Sequence, residues 1–110
     1  MKIKYLAGLC AIWGVMQVTT AAALTVEDRC EIVAEVAASI MQARQNGTAR
    51  EPVLAKVQVE GEPDITELFE VMVQNAYDTA IEDSGLRKTE LVKEFKSQWQ
   101  TACLQGTSAL

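Results

Sequence analysis

The chain has no histidine. Imidazole zinc sites are therefore excluded, as are the Ser-His and Cys-His pairs that activate a nucleophile. Its six glycines are scattered, so no Gly-rich loop is available to cradle a phosphate. No Cys-x-x-Cys occurs, which leaves thiol redox chemistry without its usual motif. Internal repeats, low-complexity tracts and interdomain linkers are also missing. Basic residues are scarce: ten Lys and Arg stand against fifteen Asp and Glu. An acidic chain lacks the basic face that nucleic acid or an anionic membrane surface requires.

What is present begins with an export signal. Lys2 and Lys4 give a positive start, and Tyr5 to Val18 is mostly apolar. That run is shorter than the about 20 residues needed to span a bilayer. Small residues follow and end in Ala21-Ala22-Ala23, an Ala-x-Ala cleavage site. Cys10 lies inside the apolar run, after Leu9, which is not the setting of a lipid-modified cysteine. Residues 1–23 are thus expected to be a cleaved signal peptide. Residues 24–110 form a single domain, with no membrane anchor once the signal is removed. Without residues 1–23 the 110-residue chain has 87; Lys2 and Lys4 are lost, so eight basic residues face fifteen acidic ones, a net charge of −7.

A domain this short buries a modest core and benefits from a staple. Cleavage removes Cys10 and leaves Cys30 and Cys103, an even number in an oxidising compartment. The expected Cys30–Cys103 disulfide closes a loop of about 74 residues, to which loop entropy assigns about 4 kcal/mol.

Cys30 to Arg44 reads as an amphipathic helix. Cys30, Val33, Ala34, Ala37, Ile40, Met41 and Arg44 recur at the spacing of one helix face. Glu31, Glu35, Ser39 and Gln42 take the solvent side. Thr25 with Asp28 three residues on predicts the N-terminal cap, and Asn46-Gly47 predicts the stop. Thr48-x-x-Glu51 followed by Pro52 suggests a short helix to about Lys56, although Val53, Val57 and Val59 would suit a strand. The helix is preferred because a lone strand has no partner. Glu60 to Pro63 is a loop. Asp64, with Glu67, is expected to open the next helix, whose broad apolar face is Ile65, Leu68, Phe69, Met72, Val73, Ala76 and Ala80. Glu82 to Gly85 turns the chain. A last helix is expected from about Leu86 or Lys88 to Leu104, with Gly106 as stop and Val92, Phe95, Trp99, Ala102 and Cys103 as its stripe. The fold class is all-α: a small disulfide-stapled helical bundle of three long helices and one short one. The two cysteines sit at opposite ends of their helices, so the first and last helices should pair antiparallel.

The candidate chemistry is thin. Glu27, Asp28 and Glu31, like Glu82 and Asp83, could in principle act as paired carboxylates. In an acidic helical protein they read as solvated faces. Glu60, Glu62 and Asp64 lack the spacing of a calcium loop. No catalytic residue, metal ligand or cofactor is expected. Arg44 stands on the core stripe; a guanidinium capping carbonyls at a helix end is preferred there to a partner contact. Val71, Tyr77 and Ile81 fall outside the apolar face of their region. Together with Arg44 they are the candidate partner-binding surface.

Cys30, Ala37, Ile40-Met41, Arg44-Gln45, Gly47, Ala76-Tyr77, Phe95 and Cys103 resemble a loose family of small exported bacterial proteins, many of them carried on prophages. The similarity covers most of residues 24–110. Its most specific piece is Ile40-Met41-Gln42-Ala43-Arg44-Gln45-Asn46-Gly47. It implies a disulfide-held helical periplasmic protein and nothing about activity. Phe95-Lys96-Ser97-Gln98-Trp99 is similar to a segment of the acid-stress periplasmic chaperones, though the cysteines here lie further apart. The expected function is a periplasmic binding protein that blocks or protects a protein target in the envelope, of the immunity or phage-exclusion type. The alternative is a periplasmic stress chaperone.

Overall fold

The computed structural model describes residues 24–106. The signal peptide expected over residues 1–23 lies outside them. Within them the chain forms four helices and no strand: α1 (Val26–Gln45), α2 (Arg50–Lys56), α3 (Pro63–Tyr77) and α4 (Gly85–Gln105).

α1 starts as its sequence dictates. The Thr25 hydroxyl accepts the Asp28 amide at 3.1 Å, and the Asp28 carboxylate accepts the Thr25 amide at 3.2 Å. This reciprocal cap satisfies two otherwise orphaned donors. Glu27 and Asp28 place negative charge at the positive end of the helix dipole. At the other end Asn46 closes the helix and Gly47 turns out with φ +82°, a left-handed conformation that suits glycine.

The cap expected at Thr48 does not form. α2 begins one residue later, with Ala49 as an N-cap that makes no side-chain bond. Pro52 falls in its first turn, where a missing N–H costs nothing. The valines after it do not make a strand. Val57 ends the helix, and Thr66 takes up the Val59 backbone: its hydroxyl accepts the Val59 amide at 2.8 Å and donates to the Val59 carbonyl at 3.2 Å.

α3 opens earlier than expected. Glu62, not Asp64, is the N-cap, and Pro63 takes the first helical position. Its fixed φ is already helical there, so Pro63 outcompetes the Asp64–Glu67 capping box. α3 also stops at Tyr77, short of Ala80, which is exposed. Phe69, Met72, Val73 and Ala76 are its buried face, while Ile65 remains 41% exposed. α4 starts at Gly85, where the Ser84 hydroxyl accepts the Arg87 amide at 3.1 Å, and Gly106 ends it as expected. Phe95 and Cys103 are its buried residues; Val92 and Trp99 are half-buried, and Ala102 is exposed.

The core joins Ala37, Ile40 and Met41 of α1 to Val53 and Val57 at α2, Met72, Val73 and Ala76 of α3, and Phe95 of α4. Phe95 meets Trp99 edge-on, with ring centroids 6.1 Å apart. α1 and α4 lie side by side and antiparallel. Cys30 and Cys103 are bonded, with their Cα atoms 5.5 Å apart. Further along, Lys96 Nζ reaches Glu35 at 2.8 Å. Both half-cystines are buried. No helix among the described residues is long and apolar enough to cross a membrane.

Candidate functional site

Two features of this frame could do work: a polar joint at the C-terminal end of α1, and an open groove along its flank.

The joint is built from the last turn of α1. Gln45, not Arg44, occupies the core position and is only 1% exposed. Its Nε2 donates to the Ala80 carbonyl at 3.0 Å, and its Oε1 accepts the Glu82 amide at 2.9 Å. Arg44 Nε donates to the Thr79 carbonyl at 2.9 Å, and its guanidinium carbon lies 5.2 Å from the centre of the Tyr77 ring. The Tyr77 hydroxyl donates in turn to the Thr48 carbonyl at 2.8 Å. Burial pushes the Tyr77 phenol above its ordinary pKa; the positive charge of Arg44 opposes this, and Glu51 adds to it.

These bonds explain why α3 ends where it does. Residues 79–82 find partners on α1, so they need not continue a helix. Arg44 does not cap the carbonyls at the end of its own helix; it bonds one carbonyl, that of Thr79, in the segment that follows α3. Within the candidate partner surface, Arg44 and Tyr77 are thus half-buried and bonded internally, whereas Val71 is 48% and Ile81 43% exposed. The structure does not gather the four into one patch of free surface. The sequence reading misses Gln45. The available signal is its place beside Arg44 and directly before Asn46-Gly47, where a long polar side chain can reach a neighbouring loop.

The groove lies between α1 and α2 and has a volume of about 830 Å³. Leu24, Ile32, Val36 and Ile40 line one side; Pro52, Val53 and Val57 line the other. Leu24 and Ile32 remain 58% and 50% exposed. The cause is a mismatch of lengths. At 1.5 Å per residue α1 is about 30 Å long and α2 about 10 Å, so α2 covers only part of the seam. Asp28, Glu31 and Glu35 stand along the α1 side, and Lys56 stands on the α2 side. Hydrogen bonding to Glu35 raises the pKa of Lys96, outside the groove. The sequence reading assigns Glu31 and Glu35 to solvent and passes over Ile32 and Val36. Their i, i+4 spacing, continued by Ile40, is the available sign of a second apolar stripe.

Chemically, this arrangement can bind by apolar contact and by charge. Among the described residues no group of three or more Cys, Asp or Glu side chains is placed to hold a metal ion. Every buried side-chain nitrogen and oxygen among them has a hydrogen-bond partner, so no polar group there is left aimed at a ligand. No protein-family model, no curated protein and no solved structure matches the chain.

Proposed function

We propose that this is a periplasmic binding protein that blocks or protects a protein target in the cell envelope, as an immunity or phage-exclusion factor would, and that it has no catalytic activity. The observation that carries this reading is an apolar seam left uncovered on a frame tied at both ends. An exposed apolar surface of this kind marks a contact site more often than an accident of folding. Its frame is held by a disulfide and by the Arg44–Gln45 joint, so a partner meets a surface already in shape. Preorganisation of that kind lowers the entropy lost on binding. The disulfide suits an oxidising compartment, in keeping with the export signal read from residues 1–23.

The test is capture from envelope extract near neutral pH by the oxidised protein. Binding should saturate and should weaken when Ile32 is replaced by Asn. Replacements at the sequence-derived candidates Val71 and Ile81 map whether the contact extends beyond the groove. If no protein is retained saturably, the reading fails.

A further inference from the structure

The groove along α1 has a shape and a charge that select one kind of guest. We propose that it receives a cationic amphipathic helix of a partner protein, with the apolar face of that helix on Ile32, Val36 and Pro52 and its basic flank over Glu31. The proposal rests on the binding role set out above and names the partner's chemistry.

The shape argument comes from the register of α1. Asp28, Ile32, Val36, Ile40 and Ala43 of α1 line the groove, and Leu24, just before the helix, lines it with them. The five helical positions recur at three- and four-residue steps, which makes one continuous ridge inclined to the helix axis. From Asp28 to Ala43 that ridge is about 22 Å long. α2 supplies a short wall on one side and leaves the rest open. A long, apolar, open seam beside a helix is what ridges-into-grooves packing offers to another helix. It offers little to a small polar ligand, which would need convergent hydrogen-bonding groups.

Charge decides between possible helices. Three carboxylates, those of Asp28, Glu31 and Glu35, border the seam against the single cation Lys56. Asp28 already holds the Thr25 amide and Glu35 already holds Lys96. Glu31 is exposed and acts on Lys96 only through space, so its carboxylate can still meet a guest. A basic flank would therefore be attracted, and an acidic one repelled. The same argument disfavours a second copy of this chain. Two such seams brought together would oppose their carboxylates, on molecules in which eight basic residues face fifteen acidic ones over residues 24–110.

The experiment titrates the oxidised, exported protein with three synthetic peptides of about 18 residues, each ~27 Å long as a helix. The first has leucines on one face and lysines and arginines along the other. The second carries glutamates in place of the basic residues. The third has the composition of the first in scrambled order. Calorimetry should give saturable one-to-one binding of the first peptide and at least about tenfold weaker binding of the other two. Ile32→Asn should cost about tenfold in affinity, the scale of one buried aliphatic side chain. Glu31→Lys should weaken binding several-fold and flatten its salt dependence. Leu86→Asn, on the exposed surface of α4 outside the groove, should change nothing.

Equal binding of the ordered and scrambled basic peptides would reduce the effect to general charge attraction and overturn the proposal. So would an Ile32→Asn protein that binds as the parent does, or tighter binding of the acidic peptide. A dimer in sedimentation that Ile32→Asn dissociates would make a second copy the occupant, and residues 1–23 would become the occupant if only uncleaved protein refused the peptide. An envelope protein retained equally by parent and Ile32→Asn, and not displaced by the basic peptide, would leave the binding role standing and remove this inference alone.

Discussion

The two ends of α1 are fastened by different chemistry. Near its start, one covalent bond joins Cys30 to Cys103. At its finish, three hydrogen bonds hold the 79–82 segment, two donated by Arg44 and Gln45 and one accepted by Gln45 from the Glu82 amide. The disulfide acts chiefly by restricting the unfolded chain, so its effect grows with the length of the closed loop. The polar joint acts on the folded state, because removing one partner leaves the other unpaired at a part-buried site. The first fastening should therefore govern whether the domain folds at all. The second should govern whether one connection stays in place.

The covalent end gives the larger effect. With the half-cystines 73 residues apart in sequence, Cys30→Ser should cost about 2–5 kcal/mol. A small domain has only about 5–15 kcal/mol in total. Thermal melts of the oxidised and reduced proteins should differ by many degrees, and expression in a reducing cytosol should reproduce the loss. Trp99 reports the same event from α4, since it packs edge-on to Phe95. Its emission should move to the red on reduction. An unchanged melting temperature and emission maximum would show that pairing of α1 with α4 does not depend on the bridge.

Gln45→Ala should come next, at about 2–4 kcal/mol. It opens a cavity in a fully buried site and leaves the Ala80 carbonyl and Glu82 amide without their partner. The consequence that separates it from the cysteine change is local. Hydrogen exchange at the Glu82 amide should accelerate first, while amides of α1 near Cys30 stay protected. Uniform acceleration along α1 would mean that the two ends unfold as one unit and that the contrast between them is unfounded.

Legibility in the sequence follows the same division. Helical periodicity, the Thr25–Asp28 cap and two cysteines in a chain read as exported are local or countable signals. They lead directly to four helices and the stapled antiparallel pair. What stays hidden are choices made by contacts distant in sequence. Gln45 looks like the polar end of a helix until residues 80–82 fold onto it. α3 looks long enough to include Ala80 until α1 takes the backbone groups beyond Tyr77. Pro63 beats Asp64 to the helix start because a proline in the first position needs no partner, whereas a capping box needs two residues to be placed together. The groove is hidden for another reason. Periodicity credits an amphipathic helix with one apolar face, and the shortness of α2 leaves α1 with a second.

Arg44 and Tyr77 should give a smaller effect than Gln45, because both are only half-buried. Arg44→Lys keeps the charge but loses the planar group beside the ring and the fixed Nε donor. A destabilisation of about 1 kcal/mol is expected in denaturant titrations, from one hydrogen bond and one cation–π contact. If Arg44→Lys equals the parent, the guanidinium contributes by charge alone.

The smallest effect is a pH dependence confined to this end of α1. Burial raises the Tyr77 phenol above its ordinary value, so the folded protein favours the protonated form more than the unfolded chain does. A group with a raised folded pKa adds stability that is fully present below its unfolded value, about 10 for a phenol, and is lost as pH rises through the folded value. Ionisation also removes the hydroxyl proton that Tyr77 donates to the Thr48 carbonyl. Stability should thus be insensitive to this group from neutral pH to about 9 and should fall as pH rises beyond about 10. Lys96, raised by its bond to Glu35, loses its contribution in the same direction at the α4 face. Tyr77→Phe separates the two. It should lower stability at neutral pH by about 0.5–1.5 kcal/mol, the value of one hydrogen bond, and make the alkaline decline shallower. Denaturant midpoints measured for both proteins across that range check this. A decline of equal slope in Tyr77→Phe would place its cause at Lys96 and the disulfide-bearing half of α1, and the joint would then carry no alkaline sensitivity of its own.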